Sequence, residues 1–423
     1  MWRSDLPISK PAEPSAGASA ATSVAAAASR SREPRVLFLN QNYPPAFGGG
    51  GQYLAFIRKA ATRAGIGSLV VTGNRGIAGD SEPDVIRLPT PGYERFPRLG
   101  EYCFALLSPL VLLAQRRRFD LVHTMGSAHS VYAAILMGRL LRKPVVVASV
   151  QNRGDDPAGI LAQRFGRLKN RIFSRASRFV CCSGFQIDTY RDAGYPASKV
   201  RFIPNGVDPS RFRPLPDGES KAALRSRLGI PREAFVAVTL GAIIERKGID
   251  LLTEAWIRFR AGREDGTLLL VGPSRSTDAG SGVEDAYVDR IRARLAGAGI
   301  ADSVIFTGRV SNVPEYLQAA DIFALMSRGE GFPVAILEAM LTEIPFLLWG
   351  LPDYGGYDLQ DQAQGFLIPP FDTELLAQRL AQLSSDPAGR HRMGQQARQL
   401  ALRFTLERSM LDHLALYREM AGS

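Results

Sequence analysis

Thirteen short, β-branched apolar runs separated by helical patterns constrain what this sequence can fold into more than any other feature. In the first half they are Arg35–Asn40, Ser68–Thr72, Asp84–Leu88, Phe119–Thr124, Pro144–Val150, Arg178–Cys182 and Val200–Ile203. In the second half they are Phe235–Gly241, Thr267–Gly272, Ser303–Phe306, Asp321–Met326, Pro345–Trp349 and Gly365–Ile368. Helical segments intervene, among them Gln52–Ala64, Ile249–Arg260, Glu284–Ala298 and Pro333–Leu341. Strand–helix alternation of this length means parallel sheets with helices on both faces. One open sheet of that many strands would be unusually wide, so two doubly wound α/β domains are expected. The turn-rich stretch Val207–Ser220, with Pro209, Pro214, Pro216 and Gly218, is where they should divide. The expected organisation is a disordered Ala/Ser-rich tail over 1–33, one Rossmann-like domain over 34–208 and a second over 209–403. The final stretch, 404–423, reads as a helix turned back toward the first domain.

Charge is divided as unevenly as the fold is regular. The net charge is +11, yet residues 1–210 hold 28 Lys and Arg against 14 Asp and Glu, and the remainder holds 24 against 27. A basic first half suggests an anionic partner on that side only. Its most concentrated segment is Ile160–Phe179, where Leu161, Phe165, Leu168 and Ile172 recur at helical spacing. Arg164, Arg167, Lys169, Arg171, Arg175 and Arg178 are interleaved. This pattern predicts one amphipathic basic helix, suited to anionic lipid headgroups. Arg116, Arg117 and Arg118 close the apolar run Tyr102–Gln115, which at that length reads as a buried or interfacial helix. Neither a nucleic-acid module nor an aromatic-lined basic channel is present, so a nucleic-acid partner is not expected. Three cysteines, with Cys181 and Cys182 adjacent, supply neither a disulfide framework nor zinc spacing. A cytoplasmic protein is expected, with the inner face of the plasma membrane as the surface its charge suits.

Two segments carry chemistry. Gly48 to Gly51 follow the first strand and lead into a helix, an arrangement that brings backbone N–H groups to an anion. The spacing is not that of a dinucleotide fingerprint, and no acidic residue ends the second strand. The richer segment runs from Ser327 to Met340. A buried strand feeds a glycine turn holding Glu330, and Pro333 fits the first helical position, where its missing N–H costs nothing. Glu338 follows in the second turn. Carboxylates so placed can accept paired hydrogen bonds from vicinal hydroxyls. His123, at a strand end before Met125 and Gly126, is a candidate for the cleft edge on the first domain's side.

The pattern Glu330-Gly331-Phe332 with Glu338-Ala339-Met340 resembles the E-x7-E signature of retaining glycosyltransferases of the GT-B fold, family 4. The resemblance runs from about Arg35 to the C-terminus. It includes Pro204-Asn205-Gly206-Val207-Asp208, Gly241 with Lys247-Gly248, Phe306-Thr307-Gly308, Gly355-Gly356 and Gly365-Phe366-Leu367. It implies two Rossmann-like domains facing a central cleft, and transfer of a hexose from a nucleotide sugar, UDP- or GDP-linked, with retention. A lipid-linked saccharide or glycolipid is the expected acceptor, in surface polysaccharide or glycolipid synthesis. The alternatives are a soluble transferase on a small metabolite or glucan, and a catalytically weak binding or scaffold protein.

By the same resemblance, Glu330 with the N–H groups of Gly331 and Phe332 would contact the donor sugar, and Pro333 would start the helix behind them. Glu338 would hold the ribose, Lys247 the diphosphate, Gly49 and Gly50 the same phosphates from the other domain, and Gly308-Arg309 the base. No metal or other cofactor is implied. Three positions depart from the family pattern. Ala242 stands where an Arg is common, leaving Arg246 as the substitute cation. Gln151 stands at the catalytic position usually held by His. Glu343 replaces a Gly after the helix.

Overall fold

The computed structural model describes residues 32–44, 49–73, 82–90, 97–278 and 282–422. Nearly all of the expected tail, and Gly48, lie outside them. The pair of doubly wound sheets expected from the alternation is the architecture found. The first sheet contains β1 (Arg35–Leu39), β2 (Gly67–Thr72), β3 (Val85–Arg87), β4 (Leu121–Met125), β5 (Val145–Ala148), β6 (Arg178–Cys181) and β7 (Val200–Phe202). Its order is β3-β2-β1-β4-β5-β6-β7, every pair parallel. The second contains β8 (Val236–Leu240), β9 (Thr267–Val271), β10 (Val304–Gly308), β11 (Ile322–Leu325), β12 (Phe346–Trp349) and β13 (Gly365–Ile368). Its order is β10-β9-β8-β11-β12-β13, again all parallel.

Parallel strands covered on both faces read as continuous apolar runs, which is why the inner strands stood out in the sequence; the edge strands β3 and β7 are only partly buried and were marked by short β-branched runs instead. In β1, Leu37 and Leu39 pack under Phe104, Ile135 and Phe173, while Val36 and Phe38 pack on the opposite side against Leu54 and Ile57. Strand order reverses between β1 and β4, and again between β8 and β11. Loops at the carboxyl ends of those strands are where a doubly wound sheet receives ligands.

The chain crosses between the domains twice, side by side. Val207 donates its N–H to the Phe404 carbonyl at 3.1 Å, and Leu406 donates to the Val207 carbonyl at 3.0 Å. The helix Leu406–Ala421 then lies against the first domain, where Met410, Leu414, Tyr417 and Met420 join the cluster of Val36 and Phe38.

That helix corrects the reading of His123. The imidazole is fully buried on β4, shares a hydrogen bond of 2.5 Å with the Tyr417 hydroxyl and stacks on His413. It is core rather than cleft edge, because the returning helix covers it. Burial, with the neighbouring His413, drives its pKa well below the ordinary value and keeps it neutral.

The single basic helix is corrected too. Ile160–Phe179 contains the end of one short helix, Pro157–Ala162, and a second, Gly166–Phe173; Arg178 and Phe179 already belong to β6. Between the helices Gln163 turns extended and Phe165 adopts a left-handed φ of 59°. The residues named as its apolar stripe do not all face the core: Leu161, Phe165 and Leu168 are exposed.

Candidate active site

A cavity of about 490 Å³ opens between the domains, lined from one side by Gly50, Tyr53, Ser149 and Val150 and from the other by Glu330, Gly331, Phe332 and Glu338. Its second-domain wall is built by β11 and the turn that follows. The helix there runs Val334–Leu341, so Pro333 is its N-cap rather than its first residue, one position earlier than expected. The chain upstream of that cap is held tightly. Phe332 stacks on Tyr357 with ring centroids 3.8 Å apart, and the Tyr357 hydroxyl donates to the Pro333 carbonyl.

Glu330 is the electrostatic centre. Lys247 Nζ lies 2.7 Å from Oε1, Arg246 Nη1 lies 3.0 Å from Oε2, and the Ser327 hydroxyl donates to Oε1 at 2.6 Å. Burial alone would raise this carboxyl's pKa. The two cations and the hydrogen bonds overcome it and hold Glu330 below the usual carboxylate range, ionised. The turn that carries Lys247 reaches β11 only because residue 248 is glycine. Gly248 has φ 64°, and a Cβ there would fall 1.9 Å from the Met326 carbonyl oxygen.

Glu338 behaves in the opposite way. Its carboxyl lines the same cavity, and among the described residues no side chain hydrogen-bonds it. Burial raises its pKa from 4.5 to about 7, against the pull of Arg211. The folded state therefore keeps a proton that the unfolded chain releases near 4.5, and stability falls as pH rises through that window. The loss is on the order of 3 kcal/mol by pH 7.5. Glu338→Gln should gain on wild type between pH 5 and pH 7.5, read as the change in the difference between their urea midpoints. An unchanged difference would refute the burial of this carboxyl.

Of the other residues singled out in the sequence, Gly50 lines the cavity and Gly49 begins the facing helix Gly49–Arg63. Gln151 is exposed on the loop after β5, its N–H bonded to Asp155 Oδ2, beside the point where Gly331 meets the first domain. Gly308 and Arg309 stand at the end of β10, the outer strand of the second sheet, away from the cavity lining. Arg164, Arg167, Lys169 and Arg171 lie on or beside the short helix Gly166–Phe173 and are not part of the cavity wall. Glu343 takes a left-handed φ of 61°, a conformation that glycine adopts more easily than any other residue.

The structure adds residues that the sequence did not announce. Arg211 lines the cavity three residues past the Pro204–Asp208 motif. Asp353 and Arg153 meet across the domain boundary, 200 residues apart, with no pattern to mark them. Among the described residues no cluster of three or more His, Cys, Asp or Glu is gathered as a metal would need. Glu330 thus ties two cations to the cavity wall, and Glu338 in the same wall presents a carboxyl that no side chain of the described residues bonds.

Two family models match. That described as glycosyl transferases group 1 covers residues 220–400, and that described as glycosyltransferase family 4 covers 47–211. The chain is 33% identical over 156 residues to the lipopolysaccharide core biosynthesis mannosyltransferase LpsB of Rhizobium meliloti, covering 37% of this chain and 42% of that one. It is 28% identical over 390 residues to the GDP-mannose-dependent alpha-(1-6)-phosphatidylinositol monomannoside mannosyltransferase of Mycobacterium tuberculosis, covering 83% and 89%. Three of the curated relatives are matched over only 42, 57 and 50% of their own length. Among solved structures, Anabaena HepE in complex with UDP superposes with a TM-score of 0.74 at 21% identity, over 91% of this chain and all of that one.

Proposed function

This chain belongs to the group 1 and family 4 glycosyltransferases, and on that premise we propose that it moves a hexose from a UDP- or GDP-sugar to a lipid-linked saccharide or glycolipid, with retention of anomeric configuration. One observation carries the reading: Lys247 and Arg246 converge on Glu330 in the same cavity wall as the unpartnered Glu338. The cations suit the diphosphate, and Glu338 suits the ribose hydroxyls. Arg246 supplies the second charge that Ala242 lacks. Glu330, held ionised by three donors, is a poor general acid and an encumbered nucleophile. It acts instead by fixing the cations and the donor sugar. Gln151 cannot take a proton, so the acceptor proton passes to the departing phosphate on the face where the acceptor attacks.

The names of the relatives support this reading. One uses GDP-mannose and a phosphatidylinositol monomannoside, another builds lipopolysaccharide core, and the protein of like fold holds UDP. Release of nucleoside diphosphate from a panel of UDP-, GDP- and ADP-sugars tests it, with the anomeric configuration of any product read by NMR. Neither release nor nucleotide binding from any donor would overturn it in favour of a scaffold.

A surface feature supports the lipid-linked acceptor. Along the helix Pro97–Ala114, Phe104, Ser108 and Leu112 are buried. Leu99, Tyr102, Leu106, Leu110 and Leu113 form an exposed stripe, Leu106 being 75% exposed. Leu136 and Leu140 on the neighbouring helix His129–Leu141, and Leu161, Phe165 and Leu168, extend the apolar surface on the same side of the sheet. Arg116, Arg117, Arg118, Arg164, Arg167, Lys169 and Arg171 accompany it. Apolar side chains beside unburied cations suit an anionic bilayer, at about 1 kcal/mol per basic residue near the surface. No helix of the described residues is long and apolar enough to cross a membrane; the docking proposed is peripheral, on the cytoplasmic face. Leu106→Glu with Leu110→Glu should weaken co-sedimentation with anionic vesicles by roughly tenfold or more while leaving thermal stability and donor cleavage unchanged. Undiminished sedimentation would remove this face from the proposal.

A further inference from the structure

Where the domains touch beside the cavity, one buried carboxylate joins the Glu330 backbone to an arginine of the other domain. Asp353, on the loop after β12, is 0% exposed. Its Oδ2 accepts the backbone N–H of Glu330 at 2.9 Å. The same carboxylate takes Arg153 Nη1 from the other domain, at 2.9 Å to Oδ1 and 3.2 Å to Oδ2. Among the described residues Arg153 is its only ion-pair partner. Arg153 is itself prepared for the contact. Its φ of 57° is left-handed, its N–H is anchored on Asp156 Oδ2 at 2.6 Å, and its guanidinium lies 4.4 Å over the Phe185 ring. Around the pair the two backbones meet directly, Gly184 N–H donating to the Gly355 carbonyl at 2.6 Å.

We infer that Arg153 and Asp353 form an interdomain latch that holds the Glu330 loop in its working position only while the cleft is closed. Both are positioning residues, and the assignment rests on the reading of Glu330 as part of the donor site. Opening the cleft withdraws the guanidinium from a buried carboxylate that has no second cation among the described residues. An unpaired buried charge is strongly unfavourable, so Asp353 must turn outward or the domains must reclose. Turning outward frees the Glu330 N–H and slackens the loop that presents Glu330 to Lys247 and Arg246. Cleft closure and placement of Glu330 are thereby one two-state event, with the ion pair as its bistable element.

The first test needs no substrate. Amide hydrogen exchange of the ligand-free protein is followed at Glu330 in wild type, Arg153→Gln and Asp353→Asn. Arg153 is 53% exposed at its side chain, so its replacement opens no cavity in either core, and thermal unfolding followed beside exchange separates a loosened loop from a loss of fold. Asparagine at 353 can still accept the Glu330 N–H but lacks the charge. Both variants are expected to speed exchange of that amide by roughly tenfold or more. With whichever donor the panel identifies, kcat should fall about 10- to 100-fold and the donor KM stay within about threefold, Arg153→Lys restoring part of the loss. The double variant should be no worse than the worse single, since each breaks the same pair. Wild-type exchange and kcat in Arg153→Gln, or additive losses in the double variant, would overturn the latch. Faster exchange with no donor turned over by the wild type would leave the latch standing and count against the transferase reading instead.

Discussion

Lys247→Ala is expected to lower kcat/KM by about 10²- to 10³-fold, the scale of losing one preorganised charge aimed at a developing oxyanion. Breaking the bond between sugar and diphosphate leaves charge on the phosphate, and a cation already in place stabilises it without reorganisation. Lys247 is so placed: its side chain is largely shielded from solvent, and its ammonium is fixed 2.7 Å from Glu330. The Arg246 guanidinium bonds the other oxygen of the same carboxylate from a more solvated position, so Arg246→Ala should cost less, about tenfold. The fold should survive either change, because Glu330 keeps Ser327 and one cation. Lys247→Arg should recover part of the activity, as charge without the same reach. Steady-state rates with the donor found by the panel decide the matter. Activity of Lys247→Ala within about threefold of wild type would mean that the diphosphate lies elsewhere.

Gly331→Ala should reduce turnover by about 100-fold for a geometric reason. A Cβ built on Gly331 would fall 2.1 Å from the carbonyl oxygen of Val150, which belongs to the other domain. That oxygen is backbone, so no rotamer change relieves the clash. The cleft must instead stand open by about an ångström, moving Glu330 and the Arg153–Asp353 contact out of register. Misplacement on that scale is enough to cost two orders of magnitude. Nothing in either domain's core is touched, so the thermal midpoint should shift by no more than a few degrees. Paired measurement of kcat and thermal unfolding separates the outcomes. A variant that keeps full activity would show that turnover does not use the closed contact seen here.

The inner strands were legible because they are covered on both faces and so announce themselves as apolar runs; residues adjacent in sequence share that environment. The Glu330–Glu338 segment was legible for a related reason. Strand, glycine turn, cap and helix are consecutive, so their residue types report the local backbone directly. Local reading failed where a single backbone choice broke a periodic pattern. The apolar spacing of Ile160–Phe179 is helical throughout, but a left-handed turn at Phe165 divides it and the strand β6 claims its end.

It also failed where partners are distant. His123 looked like a cleft residue until a helix 294 positions later covered it. Nothing near Asp353 or Arg153 distinguishes either from a surface charge, because their meaning lies in a contact between domains. The order of residues was enough to specify two parallel sheets, the turn and helix that carry Glu330 and Glu338, and a family resemblance. Folding was needed to settle which carboxylate is clamped by cations, which keeps its proton to about 7, and which buried acid joins the domains. Secondary structure follows from side chains a few positions apart. Charge state and closure depend on burial and distant partners, which exist only once the chain has folded.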